Sequence, residues 1–303
     1  MSEFAFIDWL RRQTPGDPRI ILGPGDDTAA VRLAGDRPCL VTTDMLLEGS
    51  CFILAEAGAG RVGRKAMAVN LSDIAAMAGE PVAAVVSVGL PRQGGMALPQ
   101  ELFGGLREMA DRFAVAIAGG DTNSWDGPLV ISVTLLGQPT GRGPVTRAGA
   151  KAGDWLMTTG PLGGSILGKH LDFTPRIREA QTLHAAAELH AMIDISDGLA
   201  ADVQHLCDES RCGAVLWADK IPISADARRM PGGRSPLEHA LGDGEDFELV
   251  FAVSPADAQH LAATQPVAGV TLSAIGEVVT EGLWLEENGQ RRALPPTGYV
   301  HQF

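Results

Sequence analysis

The chain has 303 residues, enough for two ordinary domains or one large one. Hydrophobic residues make up 45% and charged residues 20%, which excludes an intrinsically disordered chain. Its 37 acidic against 24 basic residues, a net −13, exclude sequence-independent nucleic-acid binding, which needs Lys and Arg against phosphates.

In chain order, the first signal is Gly23-Pro24-Gly25-Asp26-Asp27, two neighbouring acids on a glycine-bounded loop. An apolar, β-branched run at 40–43 reads as a strand that delivers Asp44 where it ends. Gly58-Ala59-Gly60-Arg61-Val62-Gly63 fits GxGxxG, but Ala55-Glu56-Ala57 separates it from the preceding apolar run. With no strand feeding the glycines, it reads as a tight turn opening a helix. That helix, at 63–78, is apolar nearly all round from Lys65 onward and is expected to be buried. Asn70, Ser72 and Asp73 interrupt it, with Asn70 and Asp73 on one face. A buried ionised aspartate needs a partner, so a cation or a dense set of donors must face Asp73.

A strand at 82–90, a helix at 99–113 and strands at 114–118 and 129–136 follow, the run at 114–118 leading into Gly119-Gly120-Asp121. The stretch 137–153, rich in Gly, Pro, Thr and Arg, is the best linker candidate. Beyond it come strands at 155–158, 214–217, 247–253 and 270–275, helices at 176–190, 199–209 and 255–265, and a hairpin on Asn288-Gly289. The run Met192-Ile193-Asp194-Ile195-Ser196-Asp197 delivers two more acids. Gly163-Gly164-Ser165-Ile166-Leu167-Gly168-Lys169 starts like a P-loop, yet His170 stands where Ser or Thr should hold Mg²⁺, so it reads as another turn. Alternation of this kind indicates an α/β or α+β protein.

Cys39, Cys51, Cys207 and Cys212 form no CxxC pair and no common zinc pattern, so reduced thiols are expected. The opening residues lack a basic region before an apolar core, and no apolar run reaches the roughly 18 residues of a membrane span. A cytoplasmic protein is expected.

Taken singly, each aspartate reads as a turn former or helix cap. If the segments converge, their carboxylates cannot all stay ionised without cations. Hard oxygen ligands of this type suit Mg²⁺, which bridges carboxylates to phosphates and would bring a polyphosphate to so acidic a chain.

Six segments in order resemble the thiamine-monophosphate kinase family: Gly25-Asp26-Asp27, Thr42-Thr43-Asp44-Met45-Leu46, Asn70-Leu71-Ser72-Asp73-Ile74-Ala75-Ala76-Met77, Gly119-Gly120-Asp121-Thr122, Asp194-Ile195-Ser196-Asp197-Gly198-Leu199 and Gly244-Glu245-Asp246-Phe247-Glu248-Leu249. The opening Ser2-Glu3-Phe4 and the closing Gly298-Tyr299-Val300-His301 extend the likeness over essentially the whole chain. The resemblance implies a two-domain α/β fold, with an N-terminal ATP- and metal-binding domain (1–138) that pairs with a second subunit into a β-barrel, and a C-terminal domain (148–303) completing a cleft. It implies a homodimer that transfers the γ-phosphoryl group of ATP to thiamine phosphate with Mg²⁺. Matched motif by motif, Asp27, Thr42, Thr43, Asp44, Asp73, Asp121, Asp194 and Asp197 fall on metal positions. Phe103, Gly120, Asp121, Arg147 and Ser196 fall on ATP positions, and Glu245 and Tyr299 on thiamine positions.

Two departures touch the acceptor side. Cys51 stands where the family usually has histidine, and Asp243 adds an acid before Gly244-Glu245-Asp246. Another ATP-dependent enzyme of the wider superfamily acting on a different small acceptor, and a catalytically silent nucleotide-binding paralogue, stay open here. ADP release on adding thiamine phosphate separates them.

Overall fold

The computed structural model describes residues 9, 11–12, 17–33, 37–93 and 95–299. The segments Ser2-Glu3-Phe4 and Val300-His301 lie outside the described residues.

The first half builds a six-stranded sheet from β1 (Ile20–Leu22), β2 (Ala29–Val31), β3 (Cys39–Leu47), β4 (Gly79–Pro91), β5 (Ala116–Trp125) and β6 (Val130–Pro139). Their spatial order is β1-β2-β3-β6-β4-β5, and only β4–β5 is parallel. On β3, Leu40, Thr42 and Leu46 turn inward while Thr43, Met45 and Leu47 face outward, the period of two that a pleated strand imposes. The strand expected at 40–43 continues to Leu47, so Asp44 sits within it rather than at its end. The same holds for Asp121, because β5 runs on to Trp125. Gly119, Gly120, Asp121 and Asn123 are poor strand formers, and β5 persists because β4 pairs with it from Ala83 to Pro91.

Two long helices cover the inner face, α1 (Ala59–Ala76) and α2 (Ala97–Arg112). They cross closely: a Cβ on Gly63 would lie 2.0 Å from the Leu102 carbonyl oxygen, and one on Gly105 would lie 1.8 Å from that of Gly60. The GxGxxG match is thus partly a helix-crossing pattern, and Gly58 caps α1 with φ 77°.

The second half is a seven-stranded sheet of β7 (Trp155–Thr159), β8 (Ala191–Asp194), β9 (Gly213–Trp217), β10 (Leu249–Val253), β11 (Leu272–Val279), β12 (Leu283–Glu287) and β13 (Gln290–Ala293). Its order is β13-β12-β9-β11-β7-β10-β8, with only β9–β12 parallel. The expected hairpin is β12–β13, turning on Asn288 (φ 51°) and Gly289 (φ 74°). Helices α3 (Ile177–Ala186), α4 (Leu199–Ser210) and α5 (Pro255–Thr264) accompany this sheet. The helix expected at 176–190 stops four residues short, where Ala187 turns extended.

Packing joins the halves. One face of the second sheet presents Met157, Met192 and Phe251 to the same apolar core as α1, α2 and the first sheet, while Leu156, Ile193 and Val250 pack with α4 on the other face. Helix α1 is therefore enclosed from both sides, as its all-round apolar sequence requires. Antiparallel pairing dominates both sheets, which settles the α/β-or-α+β alternative on the α+β side.

Candidate metal and phosphate site

Three separate segments bring aspartates together where the halves meet. Asp27 follows the Gly25 turn, Asp73 projects from α1, and Asp194 is the last residue of β8. One carboxylate oxygen of each lies within 4.8 Å of the others. Asp44 joins them through a hydrogen bond with Asp73, and Thr42 donates its hydroxyl to Asp73. Asn70, on the face it shares with Asp73, accepts from the Asp44 backbone N–H at 3.2 Å. Ser72 donates to Asp194 at 2.5 Å.

Electrostatics show a site short of positive charge. Burial pushes Asp44 up to about 6, and burial followed by the nearby Asp27 charge pushes Asp194 up to about 8. Burial and then Asp44, Asp194 and Asp27 hold Asp73 well above the ordinary carboxylate range. Asp26, to which the motif reading gave no metal role, rises to about 7 through burial and then Asp27. Arg147 answers with a 2.6 Å bond from Nη2 to Asp27, and its backbone N–H donates to Asp26 at 3.3 Å. Asp27 Oδ2 and Asp44 Oδ2 are buried with no partner among the described residues. Bare carboxylate oxygens aimed into a cluster of acids are the donor set a hard divalent cation takes, so the residues fit Mg²⁺.

Not every matched residue reaches this cluster. Thr43 lies on the outward face of β3, bonded to Val133 O at 3.2 Å and to the Thr134 hydroxyl at 3.0 Å, because the strand alternates around Thr42 and Asp44. Asp121 is exposed on β5, in a cross-strand row with Ser87, Ser132 and Met45. That row spans three strand spacings, about 14 Å, so one chain does not bring Asp121 to Asp73. Asp197 belongs to a neighbouring group with Asp202 and His205, whose ligand atoms also lie within 4.8 Å of one another. Asp202 Oδ2 accepts from the Asp197 and Gly198 backbone N–H groups at the start of α4.

Two cavities adjoin the cluster. A cleft of about 430 Å³ between the halves is lined by Asp44, Cys51, Lys65, Ser196, Asp197, Glu245 and Tyr299, which unites every matched acceptor residue. The Ser50 and Tyr299 hydroxyls lie 3.4 Å apart across it. Lys65, fully buried, donates to Glu245 Oε1 at 2.5 Å and to the Cys51 carbonyl at 2.8 Å. Motif reading missed it, although a lysine opening an all-round apolar helix was the available signal. The second cavity, about 400 Å³, lies between α2, β4 and β5 and contains Phe103, Gly120 and Asp121. Gly120 occupies the cross-strand row of Asp44, Val133 and Val86, on the helix-covered side of the sheet. A Cβ there would lie 1.8 Å from the Val86 carbonyl oxygen, so glycine is needed for packing as well.

The P-loop-like turn is already filled by the protein's own acids. Gly163 N–H donates to Asp246 at 2.7 Å, Gly164 N–H to Asp243 at 2.9 Å, and Lys169 to Glu248 at 2.9 Å. Asp243, the extra acid, is also tied to His239 at 2.9 Å and to Arg234 at 2.9 Å, so it braces this turn.

Comparison with known proteins agrees with this architecture. The family models described as AIR synthase related protein, N-terminal domain, and its C-terminal domain match residues 25–138 and 146–283. A thiamine-monophosphate kinase of Rhodopirellula baltica is 41% identical, covering 99% of this chain and 97% of the relative. One from Escherichia coli K12 is 32% identical over 92% of this chain and 91% of its own. A solved structure described as AaThiL complexed with AMPPCP and TMP superimposes with a TM-score of 0.85 at 28% identity, covering 99% of this chain and 97% of that one. Structures of the hydrogenase maturation protein HypE, at 16 to 23% identity, share the fold. With both halves matched by its models and a relative this similar along nearly its full length, the chain belongs to the thiamine-monophosphate kinase family of AIR-synthase-related proteins.

Proposed function

We infer that this protein transfers the γ-phosphoryl group of ATP to thiamine phosphate, giving thiamine diphosphate and ADP. The observation that carries the reading is the continuity of the aspartate cluster with the interdomain cleft through Asp44, which belongs to both. A phosphate bound in the cleft would lie beside the metal end, as in-line transfer requires. The fold neighbour described with AMPPCP and TMP supports the same pair of ligands.

Mg²⁺ held by Asp27, Asp44, Asp73 and Asp194 would neutralise and orient the phosphates. Arg147 supplies a further cation beside them, its buried Nε having no partner among the described residues. Phe103 and Gly120 line the cavity we assign to the purine, whose cross-strand distance of about 14 Å from Asp44 is of the order of an extended nucleoside triphosphate. Glu245, Cys51 and Tyr299 receive the acceptor, and Ser196 lies where the two substrates meet. We read the chain as two domains, 1–138 and 148–303, and as a cytoplasmic enzyme. No helix among the described residues is long and apolar enough to cross a membrane.

We propose a homodimer, and the exposure of Met45, Val85 and Leu136 on the outward face of the first sheet supports it. Thr43 and Asp121 belong to that face, so their assigned roles call for a second copy. Measuring ADP release with and without thiamine phosphate, Mg²⁺ and the Asp44→Asn change tests the reading. Release should need both thiamine phosphate and Mg²⁺ and fall about a thousandfold in the variant. Release indifferent to thiamine phosphate would refute it.

A further inference from the structure

Lys65 lies on α1 with none of its side chain exposed to solvent, yet it borders the acceptor cleft. Lysine ordinarily keeps its ammonium in water, so complete burial has to be matched by fixed partners. Those partners come from opposite walls: the Cys51 carbonyl at 2.8 Å and Glu245 Oε1 at 2.5 Å, the latter 180 positions away in the chain. Glu245 itself stands on a strained loop, with φ 72° at Gly244, 54° at Glu245 and 49° at Phe247. Its backbone N–H donates to Ser196 O at 2.7 Å and that of Phe247 to Ile195 O at 2.8 Å, which couples this loop to the turn after Asp194. The main chain is thus pinned from the metal side and the side chain from α1. Glu245 keeps about a third of its side chain exposed and lines the cleft.

We propose that Lys65 is a positioning residue for the acceptor, resting on the reading of this cleft as the thiamine phosphate site. By occupying Oε1 it makes the Glu245 carboxylate present a single oxygen in a single direction, toward the cationic ring of thiamine phosphate. By holding the Cys51 carbonyl as well, it sets the width of the cleft. Preorganisation of this kind acts on acceptor binding and leaves nucleotide binding alone.

Steady-state kinetics of wild type, Lys65→Met, Glu245→Gln and the double variant, varying ATP and thiamine phosphate separately, test it. Lys65→Met should raise KM for thiamine phosphate about tenfold or more while KM for ATP stays within about twofold. In the Glu245→Gln background the same change should add no more than about twofold, because its effect passes through that carboxylate. An unchanged acceptor KM, a parallel rise in both KM values, or a full tenfold cost in the Glu245→Gln background overturns the proposal. If Lys65→Met does not fold, Lys65→Gln, which retains a donor, takes its place with the same criteria. Wild type that ignores thiamine phosphate but accepts another small phosphate refutes only the functional reading, and the four-way comparison on that acceptor still decides the role of Lys65.

Discussion

Asp73 concentrates the physics of the site: a partly buried carboxyl with three acidic neighbours and a hydroxyl donor in Thr42. Groups whose folded-state pKa is raised favour the protonated form, so their contribution to stability is present in acid and is lost as pH rises. For Asp44 (about 6), Asp26 (about 7) and Asp194 (about 8) the loss falls between roughly pH 4 and pH 8. The metal-free protein should therefore melt at a lower temperature at pH 8 than at pH 6. Added Mg²⁺, which binds the deprotonated form, should raise the melting temperature more at pH 8 than at pH 6. A calorimetric melting series across this range checks both signs. At this scale the motif spacing already pointed to Asp27, Asp44, Asp73 and Asp194. It did not separate Thr42 from Thr43, because adjacent residues on a strand face opposite sides and only the pairing of β3 with its neighbours says which side is inward.

Among the elements, α1 is the piece on which the rest depends. It carries Lys65, Asn70, Ser72 and Asp73 on a rod enclosed by both halves, and its crossing with α2 is close because Gly63 and Gly105 lack side chains. Gly63→Ala would drive a methyl into the Leu102 carbonyl at 2.0 Å and should cost about 1–3 kcal/mol, read as a lower urea midpoint. Gly60→Ala, whose Cβ would have 3.8 Å to its nearest neighbour, should be neutral or slightly stabilising. Equal effects at both positions would contradict the packing account. The burial of α1 was legible from its unbroken apolar composition. The length of β5 was not, since Gly119, Gly120, Asp121 and Asn123 disfavour a strand and the segment is held extended by its pairing with β4.

For the whole molecule, the halves share one core, and the cleft with its metal end lies along their seam. The described residues leave the outward face of the first sheet uncovered, where Met45 is 61% and Val85 is 44% exposed. Sedimentation should give twice the chain mass, and Val85→Asp should shift it toward a single chain with loss of activity. A monomeric wild type with full activity would remove the second copy from the account. Convergence of segments so far apart in sequence could be argued from their chemistry only as a condition, since spacing along the chain does not fix meeting in space. The most direct measurement of that convergence is divalent-ion binding counted by electron paramagnetic resonance, using Mn²⁺ with a non-hydrolysable ATP analogue. Wild type should bind Mn²⁺ tightly, and Asp73→Asn and Asp194→Asn should each weaken it about tenfold or more, to a similar extent. Mn²⁺ affinity unchanged in both variants would show that these carboxylates do not hold one metal centre.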